Sequence, residues 1–256
     1  MQTNIELEQA WEFVEHTGTS IFLTGKAGTG KTTFLKSVVE KSQKRLVVVA
    51  PTGVAAINAR GVTIHSFFQL PLSPFVPEST VKPRFEYSKQ KRQIMRTLDL
   101  LIIDEISMVR ADILDAIDSI LRRFREHNKP FGGVQLLMIG DLQQLTPIVR
   151  PDEEKLLSRY YNTPYFFDSK ALQSTQYVTI ELTRVFRQQD KVFIDILNHF
   201  RDGNVSDEDF DILNKRYQPN FTPDKNSDYI HLTTHNRIAD NINDRQLEQI
   251  KEQACK

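Results

Sequence analysis

The stretch GKAGTGKT, residues 25–32, decides how the rest of the chain is interpreted. It fits the pattern G-x-x-x-x-G-K-[ST] in full, with a short apolar run before it and a helix-compatible segment after it. Glycines let the backbone turn so that successive N–H groups face phosphate oxygens, and the helix that follows adds its positive end. The alternative is an ordinary glycine-rich turn, but the flanking strand and helix favour a phosphate-binding loop.

The residue types in and after this loop predict roles in nucleotide chemistry. Lys31 would reach the β- and γ-phosphates, and the Thr32 hydroxyl would hold Mg²⁺. Asp104 and Glu105 end a second apolar run, where Asp104 would bind Mg²⁺ and Glu105 would polarise an attacking water. Taken alone, two acids after a strand are more often a helix cap. Together with a phosphate loop in the same sheet, the two motifs support each other.

Two weaker motifs follow further along the chain. In GDLQQL, residues 140–145, the amide of Gln144 would touch the γ-phosphate, although an ordinary polar loop is the more frequent explanation of such a stretch. In LTRVFRQ, residues 182–188, Arg184 and Arg187 could supply positive charge where the γ-phosphate charge spreads during transfer. Surface arginines are usually only solvated or salt-bridged, so position alone does not select either one.

The composition excludes several classes of protein. The chain has 256 residues, 39% hydrophobic and 26% charged, which is ordinary for a globular protein and untypical of disordered, collagen-like or coiled-coil chains. No apolar run approaches the roughly 18 residues that span a bilayer, and the polar N-terminus does not resemble a signal peptide. The one cysteine, Cys255, cannot form an internal disulfide or a zinc cluster by itself, which favours a reducing compartment.

The apolar pattern predicts an α/β fold. Short apolar runs alternate with amphipathic segments such as Asp112–Glu126, which implies a parallel sheet with helices on both faces. The runs interpreted as strands are Ile21–Thr24, Arg45–Ala50, Leu98–Asp104, Val134–Ile139 and Tyr177–Glu181.

The same pattern predicts a division into domains. Residues 1–65 and 98–188 would form the first domain. The segment 66–97, rich in proline between Gln69 and Pro83, would be an inserted subdomain. Residues 189–256 would begin a second domain with a strand at Tyr229–Thr233 and a helix at Arg237–Ile250.

Any nucleic-acid site would have to be local, because 33 basic and 33 acidic residues give a formal net charge of zero. His65 lies beside two aromatic residues and is a candidate for stacking on a base, although Phe67 and Phe68 are at least as well explained as core residues. The basic run Val81–Arg96 could follow a phosphate backbone or could simply be a solvated face.

Taken together, the motifs closely resemble the petite integration frequency (PIF) family of superfamily 1 DNA helicases, relatives of RecD. The segment Asp112–Gln135 is similar to the family's signature stretch, including Pro-Phe-Gly-Gly. The other matching segments, in order, are GKAGTGKTT (25–33), APTGVAAINA (50–59), TIHSFF (63–68), IDEISM (103–108), GDLQQL (140–145) and LTRVFRQ (182–188).

The resemblance implies a RecA-like P-loop NTPase fold and ATP-driven movement along single-stranded DNA in the 5′→3′ direction, with unwinding of duplex, forked or G-quadruplex DNA. It implies ATP and Mg²⁺ as cofactor and metal, and roles in DNA repair, recombination and telomere maintenance. The insertion at 66–97 corresponds to the family's wedge at the DNA fork. We expect a monomer on DNA with no membrane partner, cytoplasmic in a bacterium and nuclear or mitochondrial in a eukaryote.

The resemblance also assigns roles residue by residue. Lys31, Glu105, Gln144 and Arg187 match catalytic positions, and Thr32 and Asp104 match the metal site. Nucleotide-binding positions are matched by Gln9, which corresponds to the adenine-reading glutamine, and by Gly25, Ala27, Gly28, Thr29, Gly30, Lys31, Thr32 and Thr33. Positions that contact DNA are matched by Thr52, Gly53, His65, Phe68, Thr234, His235 and Asn236.

This sequence departs from the family pattern in two places. It has QLTP at 144–147 where the family usually has QLPP, and it shows no counterpart of the late motifs. The chain therefore resembles an N-terminal portion of a longer helicase. A second hypothesis follows, in which the chain is an ATP-gated single-strand DNA-binding module without turnover. A third hypothesis, a P-loop kinase or unrelated ATPase, leaves TIHSFF and LTRVFRQ without a purpose.

Overall fold

The computed structural model describes residues 4–77, 87–186, 190–223 and 229–248. The chain divides into two compact units, residues 1–201 and residues 202–256. Helix 191–202 thus belongs almost entirely to the first unit, whereas the sequence pattern placed the division at residue 188. The assignment of the later residues to a second RecA-like domain stays a prediction.

The first unit follows a β/α alternation from Ile5 to Asp202. Its elements in chain order are α1 (Ile5–His16), β1 (Ser20–Gly25), α2 (Lys31–Lys41), β2 (Leu46–Ala50), α3 (Gly53–Asn58), β3 (Val62–Thr63), α4 (Ile64–Phe68), α5 (Lys89–Thr97), β4 (Leu100–Ile103), α6 (Ala111–Phe124), β5 (Gln135–Ile139), α7 (Pro151–Leu157), α8 (Lys170–Gln173), β6 (Tyr177–Leu182) and α9 (Lys191–Asp202).

The strands form one six-stranded sheet in the order β3-β2-β4-β5-β1-β6. Every pair is parallel, with registers such as Ile102 opposite Leu137 and Leu23 opposite Ile139. All strands therefore end at the same edge of the sheet. This confirms the predicted fold class and places the loops after β1, β4 and β5 next to one another.

The sheet is covered on both faces, as the near-continuous apolar strands require. Successive side chains point to opposite faces, so Leu136 and Met138 join one core cluster while Leu137 and Ile139 join the other. The first cluster is shared with α4, α5, α6 and α8, and the second with α1 and α2. Two separate cores therefore fix the sheet between them, and the free surface suited to chemistry is its carboxyl edge.

The described part of the proposed insertion packs into the first core. Phe68 and Met95 are fully buried, and the Tyr87 hydroxyl donates a hydrogen bond to the Phe68 carbonyl at 2.6 Å. Residues 78–86 of the insertion, and with them much of the basic run Val81–Arg96, lie outside the described residues. Its wedge role stays a prediction.

The second unit contains α10 (Asp207–Asn214) and α11 (Asn236–Glu248). The predicted strand at Tyr229–Thr233 is wrong: the segment forms no strand, and Ile230 and Leu232 are 80% and 88% exposed. An apolar run becomes a strand only where a neighbour accepts its backbone hydrogen bonds, and no strand pairs with it among the described residues. None of the helices in the described ranges is long and apolar enough to cross a membrane.

A buried ion-pair network ties α6 to the segment before it and to α7. Arg110 contacts Asp112 and Glu153, each at 2.8 Å, with all three side chains almost fully buried. Asp112 also accepts a hydrogen bond from the backbone N–H of Phe75 at 2.9 Å, which holds the described start of the insertion against α6.

We predict that Arg110→Met lowers the free energy of unfolding by about 3–5 kcal/mol, because it leaves two carboxylates buried without a cation. Chemical denaturation followed by the fluorescence of Trp11, the one tryptophan, measures this, since Trp11 packs on the second core. The control is Arg45→Met, which removes the ion pair of Arg45 with Asp99 at the surface. Equal losses in the two variants would contradict the prediction.

Candidate active site

The loop after β1 is built by glycines in backbone conformations that other residues rarely adopt. Gly25, Gly28 and Gly30 have φ angles of 142°, 80° and 98°. A Cβ on Gly25 would lie 2.5 Å from the Leu182 carbonyl oxygen and 2.9 Å from Thr29 Oγ1, so no side chain fits there. The loop is therefore closed tightly against β6, and it continues directly into the first turn of α2.

Lys31 begins α2 and folds back over this loop. Its ammonium donates to the carbonyl of Gly25 and, at 3.0 Å, to that of Lys26. Burial lowers the pKa of Lys31, while the carboxylates of Asp141 and Glu105 oppose that effect. A half-buried cation with two acids near it, at a helix N-terminus, suits the binding of an anionic phosphate chain.

Asp104 and Glu105 follow β4 directly, as the sequence predicted. Asp104 is 8% exposed, and burial together with the charge of Glu105 raises its pKa to about 6. Glu105 has a left-handed backbone with a φ of 51°, which costs free energy in a residue with a side chain and is typical of functional sites. This conformation turns Glu105 away from the line of the strand, into the cleft.

The loops after β1, β4 and β5 enclose a cleft of about 290 Å³. The structure thus brings together the predicted residues of three separate motifs. The cleft is lined by Ala27, Gly28, Gly30, Lys31, Thr32, Thr33, Glu105, Gln144 and Phe186.

Gln144 is held by a residue that the sequence analysis left unassigned. Its Nε2 donates to Asp141 Oδ2 at 2.7 Å, and Arg201 Nη1 from α9 donates to the same oxygen at 2.6 Å. Asp141 itself could have been noticed as the acid that opens GDLQQL. No local signal points to Arg201, because its contact with Asp141 is made across 60 positions of sequence.

The segment after β6 closes one side of the cleft. The backbone N–H of Phe186 donates to the Gly28 carbonyl at 2.8 Å, and the Arg184 guanidinium lies 5.0 Å from the Phe186 ring. Arg187, the predicted arginine of this motif, lies outside the described residues. Gln9 is exposed on α1 and does not line the cleft, so its adenine-reading role stays a prediction.

A second pocket of about 190 Å³ lies at the same sheet edge, after β2 and β3. Thr52 and His65, two predicted DNA contacts, line it together with exposed Leu72 and Ile148. The Thr52 hydroxyl caps α3, accepting a hydrogen bond from Ala55 N at 3.2 Å. Burial, then the charge of Arg110, lowers the pKa of His65.

The prediction that Phe68 contacts DNA is wrong for its side chain. Phe68 is fully buried and packs edge-to-face on Phe67, with ring centroids 4.8 Å apart. A ring without exposed surface cannot stack on a base, so the alternative explanation, a core residue, is the correct one. Gly53 begins α3 directly after Thr52. It therefore lies beside the second pocket, where its backbone is open to solvent.

The three candidates in the second unit lie at the start of α11. Thr234 Oγ1 is 2.8 Å from His235 Nδ1, and Asn236 is the first residue of the helix. All three are exposed. Their contact with DNA stays a prediction.

Two oxygen donors of the kind that Mg²⁺ prefers lie in or next to the cleft: Thr32 lines it, whereas Asp104 is buried directly before Glu105 and does not line it. A buried carboxylate on Asp104 and the hydroxyl of Thr32 are hard oxygen donors, and Mg²⁺ in nucleotide enzymes is commonly held by one or two such groups together with phosphates and water. Among the described residues no three His, Cys, Asp or Glu side chains cluster around a common point.

Comparison with known proteins agrees with this geometry. A family model described as PIF1-like helicase matches residues 3–211. The chain belongs to the PIF1-like helicase family. Among its relatives, the ATP-dependent DNA helicases PIF1 of Candida albicans and Homo sapiens are each 40% identical to it, over 197 and 198 residues. These matches cover 75% of this chain but only 22% and 28% of the two relatives.

Solved structures extend the match to nearly the whole chain. A crystal structure of the Pif1 helicase from Bacteroides in complex with ADP-AlF3 and ssDNA has a TM-score of 0.91 at 40% identity, and the match covers 99% of this chain. That of the Candida albicans Pif1 helicase has a TM-score of 0.79 at 34% identity. This PIF1-like chain spans 58% and 55% of the length of those two chains.

We predict that Asp104→Asn stabilises the fold at pH 7.5, measured by denaturation without Mg²⁺. The folded state raises the pKa of Asp104 from 3.8 to about 6, so between these values the folded chain binds more protons than the unfolded chain. The free energy of unfolding therefore falls as the pH rises through this range. Asparagine has no charge to bury, so the free energy of unfolding of the variant should exceed that of the native chain by about 2–3 kcal/mol above pH 6. The difference should disappear towards pH 4. A variant less stable than the native chain at pH 7.5 would show that burial does not penalise the carboxylate.

Proposed function

We propose that this chain is the motor portion of an ATP-dependent DNA helicase that moves 5′→3′ along single-stranded DNA. The observation that carries the proposal is the cleft in which Lys31, Glu105 and Gln144 meet at the ends of β1, β4 and β5. The pocket with Thr52 and His65 opens at the same edge of the same sheet. A nucleotide site and a strand site on one sheet edge are what a motor of this kind needs.

Each residue of the cleft has a task in phosphoryl transfer to water. The loop N–H groups and Lys31 bind the phosphate chain, and Gln144 orients the attacking water and the terminal phosphate. Glu105 accepts a proton from the attacking water, because it is the ionisable side chain that faces the cleft opposite Lys31. Asp104 and Thr32 hold Mg²⁺, which when bound neutralises charge on the phosphate oxygens.

The relatives support the choice of substrate. Two of them are named ATP-dependent DNA helicases, and the Bacteroides protein binds ssDNA and ADP-AlF3 in its crystal. A further Pif1 structure concerns unwinding at forked dsDNA by two coordinating helicases. By analogy we propose single-stranded and forked DNA as partners of this chain.

Further parts of the proposal rest on the family pattern. They are a wedge at the fork formed by residues 66–97, a second RecA-like domain beginning after the first unit, action on G-quadruplexes, and a monomer as the active form. The motifs that this chain shares with the family are their support. The compartment proposed is the cytoplasm of a bacterium, or the nucleus or mitochondrion of a eukaryote.

The assignment of Glu105 is tested by Glu105→Gln. We expect turnover of ATP to fall by about 100- to 10,000-fold, because glutamine cannot accept the proton, while ATP binding stays intact. Steady-state hydrolysis and equilibrium binding of a fluorescent ATP analogue measure the two properties separately. Lys31→Ala is the matched variant, which should lose both.

Two outcomes would change the account. Hydrolysis by Glu105→Gln at the native rate would contradict the role of Glu105. A native chain that binds ATP and responds to DNA, but never hydrolyses ATP, would instead favour the ATP-gated DNA-binding module.

The strand site is tested by His65→Ala. If the imidazole stacks on a base, binding of a fluorescent oligo-dT should weaken by about 1–3 kcal/mol, with little change in its salt dependence, because no phosphate contact is lost. His16→Ala is the control, since His16 is exposed on α1. Equal affinities of the two variants would remove His65 from the DNA site.

A further inference from the structure

Asp141 is the acceptor of several hydrogen bonds beside the cleft, and it does not line the cleft itself. Besides the bonds from Gln144 and Arg201, its Oδ1 accepts the backbone N–H of Gln143 at 3.2 Å. The residue is 1% exposed, and the side chain of Arg201, its ion-pair partner, is 19% exposed. A buried carboxylate is costly unless it is fully paired, and these three hydrogen bonds supply that pairing.

The helix that supplies Arg201 is itself anchored to the phosphate loop. Asn198, one turn earlier on α9, accepts a hydrogen bond from Lys26 Nζ at 2.7 Å. Ile194 and Leu197 of the same helix line a pocket that also includes Ala27 and Gln144. Arg201 therefore reaches Asp141 from a helix whose position is set by the loop that binds phosphate.

The charge of Asp141 determines which way the Gln144 amide faces. Burial raises the pKa of Asp141, but the hydrogen bonds from Arg201 and Gln144 outweigh it and hold the pKa below its usual range. An ionised carboxylate only accepts hydrogen bonds, so Gln144 must turn its NH₂ group towards it. The two orientations of a glutamine amide have nearly the same shape, and without such a partner neither is selected.

This orientation leaves Gln144 with one N–H and its Oε1 for the cleft. A water molecule that attacks a phosphate needs an acceptor for its hydrogen, and a phosphate oxygen needs a donor. With its other N–H bound to Asp141, a single Gln144 side chain can supply one group to each. The reverse orientation would offer no such pair, because it would direct the carbonyl oxygen at a carboxylate.

We propose that Asp141 is a positioning residue, which fixes the orientation of the Gln144 amide for phosphoryl transfer while Arg201 holds Asp141 in place. The role of Gln144 in turnover rests on the function proposed above, but the Arg201–Asp141–Gln144 network itself does not. Two measurements separate these claims.

The first measurement requires no turnover. In the ¹⁵N-labelled full chain, the side-chain amide of Gln144 is assigned by its loss in Gln144→Ala, and its exchange with solvent is compared with that of Gln143, which is exposed beside it. We expect several-fold slower exchange at Gln144 than at Gln143, and a smaller difference in Asp141→Asn, because asparagine can pair with either orientation of the amide and so leaves the NH₂ group unbonded part of the time. Equal exchange at the two side chains in the native chain would overturn the inference.

The second measurement is DNA-stimulated ATP hydrolysis. Asp141→Asn should lower kcat about 10- to 100-fold with a smaller change in KM for ATP, since Lys31 keeps its two carbonyl contacts in the loop and the charge of Glu105 beside it. The same substitution made in a Gln144→Ala background should cause no further loss, because residues that act as a unit are not additive. Arg201→Lys should keep more of kcat than Arg201→Gln, since lysine can still donate to the carboxylate.

The control is Asp99→Asn, which removes a similar partner of an arginine, Arg45 at 2.7 Å, at the opposite edge of the sheet. It should leave kcat unchanged. An Asp141→Asn variant with native kcat, or one whose loss is undiminished in the Gln144→Ala background, would overturn the positioning role. A native chain without turnover would contradict the proposed function instead, and the exchange measurement would still decide whether Asp141 orients Gln144.

Discussion

The burial of opposite charges around Lys31 is the constraint on which the rest of the site depends. A lysine at the start of α2 loses hydration, and Asp141, Glu105 and Asp104 oppose that loss from the ends of two other strands. The same arrangement disfavours the ionised form of Asp104, whose pKa is raised to about 6. The site is thus suited to a ligand that brings phosphate to the lysine.

The sheet makes this arrangement possible because both of its faces are occupied by cores. Parallel strands direct every loop of one kind to a single edge, so residues from motifs far apart in sequence meet there without long connections. The tight closure of the Gly25 loop on Leu182 fixes the position of α2, and the left-handed backbone of Glu105 turns that side chain into the cleft. Both backbone conformations occur where the chemistry is expected, and that of Glu105 costs free energy because the residue has a side chain.

The sequence was sufficient for the parts of the structure that are locally encoded. The strand–loop–helix pattern around Lys31 and the acids after an apolar run follow from short-range rules, and the structure has these elements within two residues of their predicted bounds. The two predictions that are wrong concern residues whose structure depends on distant neighbours. Phe68 is a core residue because the insertion packs on the sheet. The segment Tyr229–Thr233 is irregular because no strand pairs with it among the described residues. Arg201 was missed because only the folded chain brings it to Asp141.

The central claim is that the cleft couples ATP hydrolysis to the strand site at the same sheet edge. The most direct test is the rate of ATP hydrolysis by this chain with and without single-stranded DNA, with Lys31→Ala as the blank. We expect hydrolysis that is stimulated by DNA and absent in the variant. Hydrolysis that DNA leaves unchanged would contradict the coupling, and a native chain that does not bind ATP would contradict the assignment of the cleft itself.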